Sequence, residues 1–118
     1  MGVKIVVDIF KALAEENRLR ILSLLIEGDM CVCEIEQCLN MNQSNVSRHL
    51  TALRRCGILK GYKKAQWVYY KIDNSFIENK PDLFAYLTKE LKQLNSYNSD
   101  CERLGECKIQ DLCNGDKE

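Results

Sequence analysis

Two cysteines one residue apart, Cys31-Val32-Cys33, stand just ahead of the polar stretch Asn42-Gln43-Ser44-Asn45-Val46-Ser47-Arg48-His49-Leu50. Thiolates select soft ions, and cysteine is the only plausible soft ligand set in this chain. The polar stretch has a different chemistry. Read as a helix, it puts Ser44, Ser47 and Arg48 on one face, as side chains that reach base edges in the major groove of a duplex. Gln43 joins them at the helix start. Asn45 and His49 are assigned to the rim or the DNA backbone, and His49 reads equally well as a structural histidine beside a core leucine. Lys63, Lys64 and Gln66 follow as contacts to phosphate or to the minor groove. A soft-ion site in the scaffold that aims a DNA-reading helix can act as a switch.

A single ion bonded to both Cys31 and Cys33 needs their sulfurs roughly 4 Å apart, judging from metal–thiolate bonds of about 2.3 Å. Residues i and i+2 of a regular helix lie about 200° apart. Either the first turn of the helix there is open, or the ion opens it and shifts the brace of the recognition helix. Cys38 is the nearest third thiolate, although seven residues from Cys31 is about 10 Å along an intact helix. Cys101, Cys107 and Cys113 are the other candidates, on a tail long enough to reach the pair. Their six-residue spacing gives them no common helical face. Free cysteine also packs as a small hydrophobe. That is the competing reading for the pair and the preferred one for Cys56, beside Gly57.

The chain has 118 residues, with 17 Lys/Arg balancing 17 Asp/Glu, but the charges are segregated. Between Gln43 and Ile72 there are seven Lys/Arg and no Asp or Glu, which leaves the other 88 residues at a net of −7. One wholly basic third is a local footprint for phosphate. The length suits one domain of modest core. No stretch approaches the roughly 20 apolar residues of a membrane span. The start, Met1 to Asp8, is interrupted by charge too early for a secretory leader, and Val6 does not suit N-myristoylation. The expectation is a cytoplasmic protein without a membrane partner, whose seven cysteines are reduced thiols and not a disulfide framework.

Hydrophobic periodicity places the elements that carry these groups. Val6, Ile9, Phe10, Leu13 and Ala14 predict a first helix over about 4–15, and Asn17 can cap a second, Arg18 to Glu27, apolar nearly all round. Gly28-Asp29 stops it. A short third helix follows from Val32 to Leu39, then a fourth capped by Asn42 and ended at Gly57. The period then changes to two, and Ile58 to Lys63 and Gln66 to Ile72 predict a basic hairpin turning at Lys64-Ala65. Asn79-Lys80-Pro81 starts a fifth helix, with Leu83, Phe84, Leu87, Leu91 and Leu94 on one face. Residues 96–118 lack apolar periodicity and read as a flexible, cysteine-containing tail to a folded domain of residues 1–95. The fold class is mainly α with a small β-hairpin, a winged helix-turn-helix. The first and fifth helices have more apolar surface than this core can cover, which predicts a two-fold homodimer through them, matched to an inverted repeat in duplex DNA.

Phe10-Lys11-Ala12-Leu13-Ala14-Glu15-Glu16-Asn17-Arg18-Leu19-Arg20-Ile21-Leu22 resembles the opening F-K-x-L-A-[DE]-x-x-R-x-x-I-[LV] of the ArsR/SmtB family of bacterial metal-responsive repressors. Asn45-Val46-Ser47-Arg48-His49-Leu50 is similar to its S-[RH]-H-L recognition signature. Gly57-Ile58-Leu59 and Trp67-Val68-Tyr69-Tyr70-Lys71-Ile72 are similar to its wing, so the resemblance spans roughly residues 6–73. Cys31-Val32-Cys33-Glu34-Ile35 further resembles the C-V-C-[DE]-[LI] box of the arsenic/antimony and cadmium/lead branches. The resemblance implies a repressor released from operator DNA when a metal or metalloid binds. Two departures stand out. The family's zinc site on the fifth helix needs Asp and His, and Asp73 to Tyr97 contains no histidine. The arsenic branch often carries C-x-C-x-x-C, and here Glu36 takes the third place, with Cys38 next. Three thiolates suit As(III) or Sb(III), as the family implies, and a fourth suits Cd(II), Pb(II) or Zn(II). The cadmium branch is known for an N-terminal cysteine, and no cysteine precedes Cys31, which tilts the inducer toward arsenic.

Three other functions compete. A thiol redox or persulfide sensor of this family places its cysteines on the second and fifth helices, which here have none. An enzyme needs a nucleophile–base pair or a phosphate-binding Gly-rich loop, and neither is present in the sequence. A metal-delivery protein leaves the basic hairpin without a purpose.

Overall fold

A helix whose Ile21, Leu22, Leu24 and Leu25 are all buried can only be the centre of the structure, and the other described elements pack around it. This computed structural model describes residues 3–94. The order is α1 (Val3–Leu13), α2 (Glu16–Glu27), β1 (Met30–Cys31), α3 (Val32–Leu39), α4 (Gln43–Arg55), β2 (Leu59–Lys64), β3 (Trp67–Ile72), α5 (Asn74–Asn79) and α6 (Pro81–Leu91). Ile35 and Leu39 of α3, Val46, Leu50 and Leu53 of α4, and Leu87 and Leu91 of α6 close on the central helix. Each fully buried Leu or Ile contributes about 1.5–3 kcal/mol over an exposed one.

Local chemistry sets the boundaries. Glu15, in extended conformation, caps α2 by accepting from the Arg18 N–H at 3.1 Å. The helix therefore starts ahead of the expected cap, and Asn17 instead accepts from Arg20 Nη1 at 3.2 Å. Asn42 caps α4 as expected, its Oδ1 accepting from the Asn45 N–H at 2.9 Å. Asn40 ends α3 in the left-handed region, φ 55°, a conformation asparagine tolerates. The turn Asn40-Met41-Asn42 then aims α4 across α3. Gly57, φ 87°, ends the next turn, where a side chain would be strained.

Helices α3 and α4 with the β2–β3 hairpin form a winged helix-turn-helix. The hairpin pairs Lys64 with Trp67, so its two-residue loop is Ala65-Gln66, one residue beyond the predicted turn. Two elements escaped the periodicity. β1 is two residues long and pairs antiparallel with β3, Met30 with Tyr70 and Cys31 with Tyr69, giving a three-stranded sheet in the order β1-β3-β2. The short α5, capped by Asp73 on the Ser75 N–H at 2.8 Å, buries Phe76 and precedes the predicted fifth helix, which is α6. Among the described residues no helix is long and apolar enough to cross a membrane. The predicted tail, 96–118, lies outside them.

Candidate nucleic-acid interface and thiol site

The apolar side of α4 is locked into the core through Val46, Leu50 and Leu53, which leaves its polar side to solvent. Gln43, Ser44, Asn45, Ser47 and Arg48 are all exposed there. Arg48 Nη2 donates to Asn45 Oδ1 at 3.1 Å, so Asn45 orients the arginine one turn on. Lys63, Lys64 and Gln66 are exposed at the far end of the wing, with Lys64 Nζ 5.8 Å from the centre of the Tyr69 ring.

His49 faces the other way. It is 2% exposed and its Nδ1 accepts from Arg18 Nε at 3.2 Å. Its basicity is lowered, first by burial and then by the Arg48 and Arg18 cations, against an opposing pull from Glu15. Of its two readings, the structure takes the structural one: His49 ties α4 to α2 and does not face the solvent side of α4. The assignment of His49 to DNA is corrected accordingly, because its ring lies under the surface on which Arg48 lies.

Cys31 is at once the last residue of β1 and the cap of α3, with φ −84° and ψ 164°. That extended backbone takes it out of the helical count, so Cys33 on the first turn can come alongside. The two sulfurs are 2.8 Å apart. The turn between them is open in this structure, and no unwinding of α3 is needed to bring them together. Glu34, 3% exposed, accepts from the Cys31 N–H at 3.0 Å and pins the turn. Tyr69 lies against Cys31, with Tyr62 stacked on it at 5.7 Å between ring centres and Trp67 alongside. Tyr62 donates to Asp29 Oδ2 at 2.7 Å, and burial with that carboxylate pushes its hydroxyl up to about 12. A cleft of about 300 Å³ opens over the sulfurs, walled by Glu36 of α3, Gln43 of α4, and Gln66 and Trp67 of the wing.

Cys38 does not join this group. It is fully buried in the main core beside α2, whereas Cys31 and Cys33 pack with the wing aromatics. The expectation of Cys38 as third ligand is corrected: on an intact helix it points into a different cluster. Among the described residues no group of three His, Cys, Asp or Glu is gathered as a metal site. Cys101, Cys107 and Cys113 lie outside the described residues. Cys56 is half-buried and donates to the Leu53 carbonyl at 3.5 Å, and burial pushes its thiol up, which suits a packing role.

Three participants went unseen in the sequence: Arg18, Glu34 and the wing aromatics. Arg18 shares residues 15–20 with Glu15, Glu16 and Arg20, so a charge count finds the stretch neutral and does not single it out. Glu34 sits three residues after the cap, the spacing of a capping box, which is the signal that could have found it. The aromatics meet the cysteines only through β1, a strand too short for any periodicity.

The model of the bacterial regulatory protein family arsR matches residues 15–60. The arsenic resistance transcriptional regulator ArsR1 of Pseudomonas putida is 46% identical over 65 residues, 54% of this chain and 51% of the relative. The cadmium resistance transcriptional regulatory protein CadC of Listeria innocua is 35% identical over 83 residues, covering 70% of each chain. The chain spans about half the length of the arsenic-resistance relatives it matches. Among solved structures, the homodimeric winged helix-turn-helix DNA-binding domain Mb0332 of Mycobacterium bovis, a possible ArsR-family transcriptional regulator, superposes with a TM-score of 0.63 at 29% identity, covering 78% of this chain and 86% of that one.

Proposed function

The chain belongs to the arsR family of bacterial regulatory proteins, and on that premise we propose that it is a transcriptional repressor that grips operator duplex DNA as a homodimer and lets go when As(III) or Sb(III) is held by Cys31 and Cys33. The observation that carries the reading is that Cys31 and Cys33 bring their sulfurs side by side in a cleft that also contains Gln43 and Gln66; an ion would spread them from 2.8 Å to the roughly 4 Å that two metal–thiolate bonds need. An ion on those sulfurs occupies space between the start of the recognition helix and the wing, and it pulls on a residue hydrogen-bonded into the sheet. The donor set fits a soft trivalent ion in two of its three places. The third thiolate then comes from Cys101, Cys107 or Cys113, or from a small thiol in solution. A coupling of about 3 kcal/mol between the two sites is enough for roughly 150-fold loss of DNA affinity.

Dimerisation follows from the surface. Ile5, Val6, Val7 and Phe10 of α1 are exposed, Phe10 at 57%, and so is Tyr86 of α6 at 61%. Burying this apolar face against a second copy presents two recognition helices to an inverted repeat. Such a repressor works in the cytoplasm, where thiols stay reduced.

The test is release of a fluorescent operator duplex, selected from random sequence with the protein, on titration with arsenite, antimonite, Cd(II), Pb(II), Zn(II) and peroxide. Arsenite should release the wild type, and Cys31→Ser and Cys33→Ser should bind DNA within about twofold of wild type yet ignore arsenite, since neither cysteine is placed at a base or phosphate. Release by Cd(II) or Pb(II) alone supports the second metal reading, and release by peroxide alone, reversed by a reductant, the redox reading. Release of the double Cys31→Ser, Cys33→Ser variant by arsenite would remove the thiol pair from the account.

A further inference from the structure

Along the α2 side of α4 runs a second groove, of about 520 Å³, whose lining has a single chemical character. Three arginines, Arg18, Arg48 and Arg55, share it with the hydroxyls of Ser44, Ser47 and Thr51, and no carboxylate lines it. Ala52, with only a methyl group, leaves the floor open. We propose that this groove holds the phosphodiester backbone of one DNA strand, and that Arg18, from outside the recognition helix, is one of its phosphate-binding residues. The inference rests on the DNA-binding reading above and deepens it by naming where the strand on this side of α4 is held.

The case for Arg18 is its preparation. A solvent-exposed arginine loses rotamer freedom when it is fixed on a ligand. Arg18 is already fixed. Nε donates to His49 Nδ1 at 3.2 Å and Nη1 donates to the Ala12 carbonyl at 3.4 Å. A guanidinium has five N–H groups, so these bonds set its plane while using two of them. The groove is where the side chain ends. Arg48 is steadied in the same way by Asn45, at 3.1 Å. Arg48 and Arg55, seven residues apart, stand about 10 Å apart along the helix axis, with Thr51 between them. A line of cations and hydroxyls, with Arg18 and Arg48 pre-oriented and the nearest carboxylate, Asp8, in the adjoining pocket that Arg18 and Arg55 also line, suits an extended polyanion better than a single small anion.

The measurement is the salt dependence of binding to a fluorescent random-sequence duplex of ~30 base pairs, between about 50 and 200 mM KCl, because each phosphate contact removed lowers the slope of log K against log salt by about one. With the full-length chain, Arg18→Gln and Arg55→Gln should each flatten the slope by about one per bound protomer and weaken binding several-fold at the lower salt. Arg18→Lys keeps the charge but not the planar fork, and should recover most of the slope, which a purely structural role for Arg18 would not allow. Lys89→Gln, on exposed α6, sets the unchanged reference. Should Arg18→Gln fail to fold, Arg55→Gln and Thr51→Asp decide the matter, since neither disturbs the bonds of Arg18. A folded Arg18→Gln protein with the wild-type slope overturns the proposal, as do wild-type slopes in both substitute variants. A wild-type protein that binds no duplex at any salt would instead defeat the DNA-binding reading itself.

Discussion

The two flanks of α4 are built from opposite materials. On the α2 side lie arginines held in place by neutral partners, Asn45, His49 and a backbone carbonyl. On the α3 and wing side lie two sulfurs, stacked aromatic rings and the uncharged amides Gln43 and Gln66. The first flank offers fixed positive charge, whose attraction for phosphate nothing in the ligand chemistry of a soft ion can alter. The second has one carboxylate, Glu36, in its wall and no cation, and is the place where an ion can be added. On the proposed function, grip and release lie on different sides of one helix, so a substitution on one side should leave the intrinsic affinity of the other intact, and only a bound ion links the two.

That separation can be broken most forcefully at Arg48. Replacing it by alanine should cut operator affinity at least about tenfold and flatten the salt dependence, while the affinity of the DNA-free protein for arsenite stays the same. A shifted arsenite affinity of the DNA-free protein in an equilibrium titration would show that Arg48 also shapes the thiol site. A smaller effect is expected from pH. His49 is buried with its basicity lowered from the usual 6.5, so below that pH the unfolded chain takes up a proton that the folded chain refuses. Stability should be full above about pH 6.5 and fall as the pH drops below it, and the urea midpoint at pH 7.5 and 5.5 measures the loss. His49→Gln should flatten that difference, at some cost in overall stability. Smallest is Tyr62→Phe on the wing flank, which removes the hydrogen bond to Asp29 and should cost about 1 kcal/mol of stability. It should leave the salt slope of DNA binding unchanged, and a changed slope would place the wing anchor on the gripping side.

How much of this was legible depended on whether a feature repeats along the chain. The four longer helices announced themselves through apolar spacing, and Asn42 and Gly57 marked the bounds of α4 because each supplies something only a few residues supply: a side-chain acceptor and a left-handed backbone. The basic run from Gln43 to Ile72 exposed the cationic face without any structure. β1 was invisible because two residues have no period, and it was the missing reason that Cys31 and Cys33 can meet. Helical geometry alone predicted that they stand on opposite sides. Cys38 misled for the converse reason: nearness in sequence along α3 carries it into the main core. His49 was undecided because both readings fit the sequence, and only the position of Arg18, thirty-one residues away, settled which way the ring turns.

Cys31 belongs to two elements, closing the sheet opposite Tyr69 and opening α3 under the hold of Glu34. Selection acting here meets one stretch of main chain that serves two elements. A lineage that swaps this thiol to respond to another toxicant keeps its hairpin only with a residue that accepts the same extended conformation. Sensors descended from such a protein should then vary the side chain while preserving the bend beneath it.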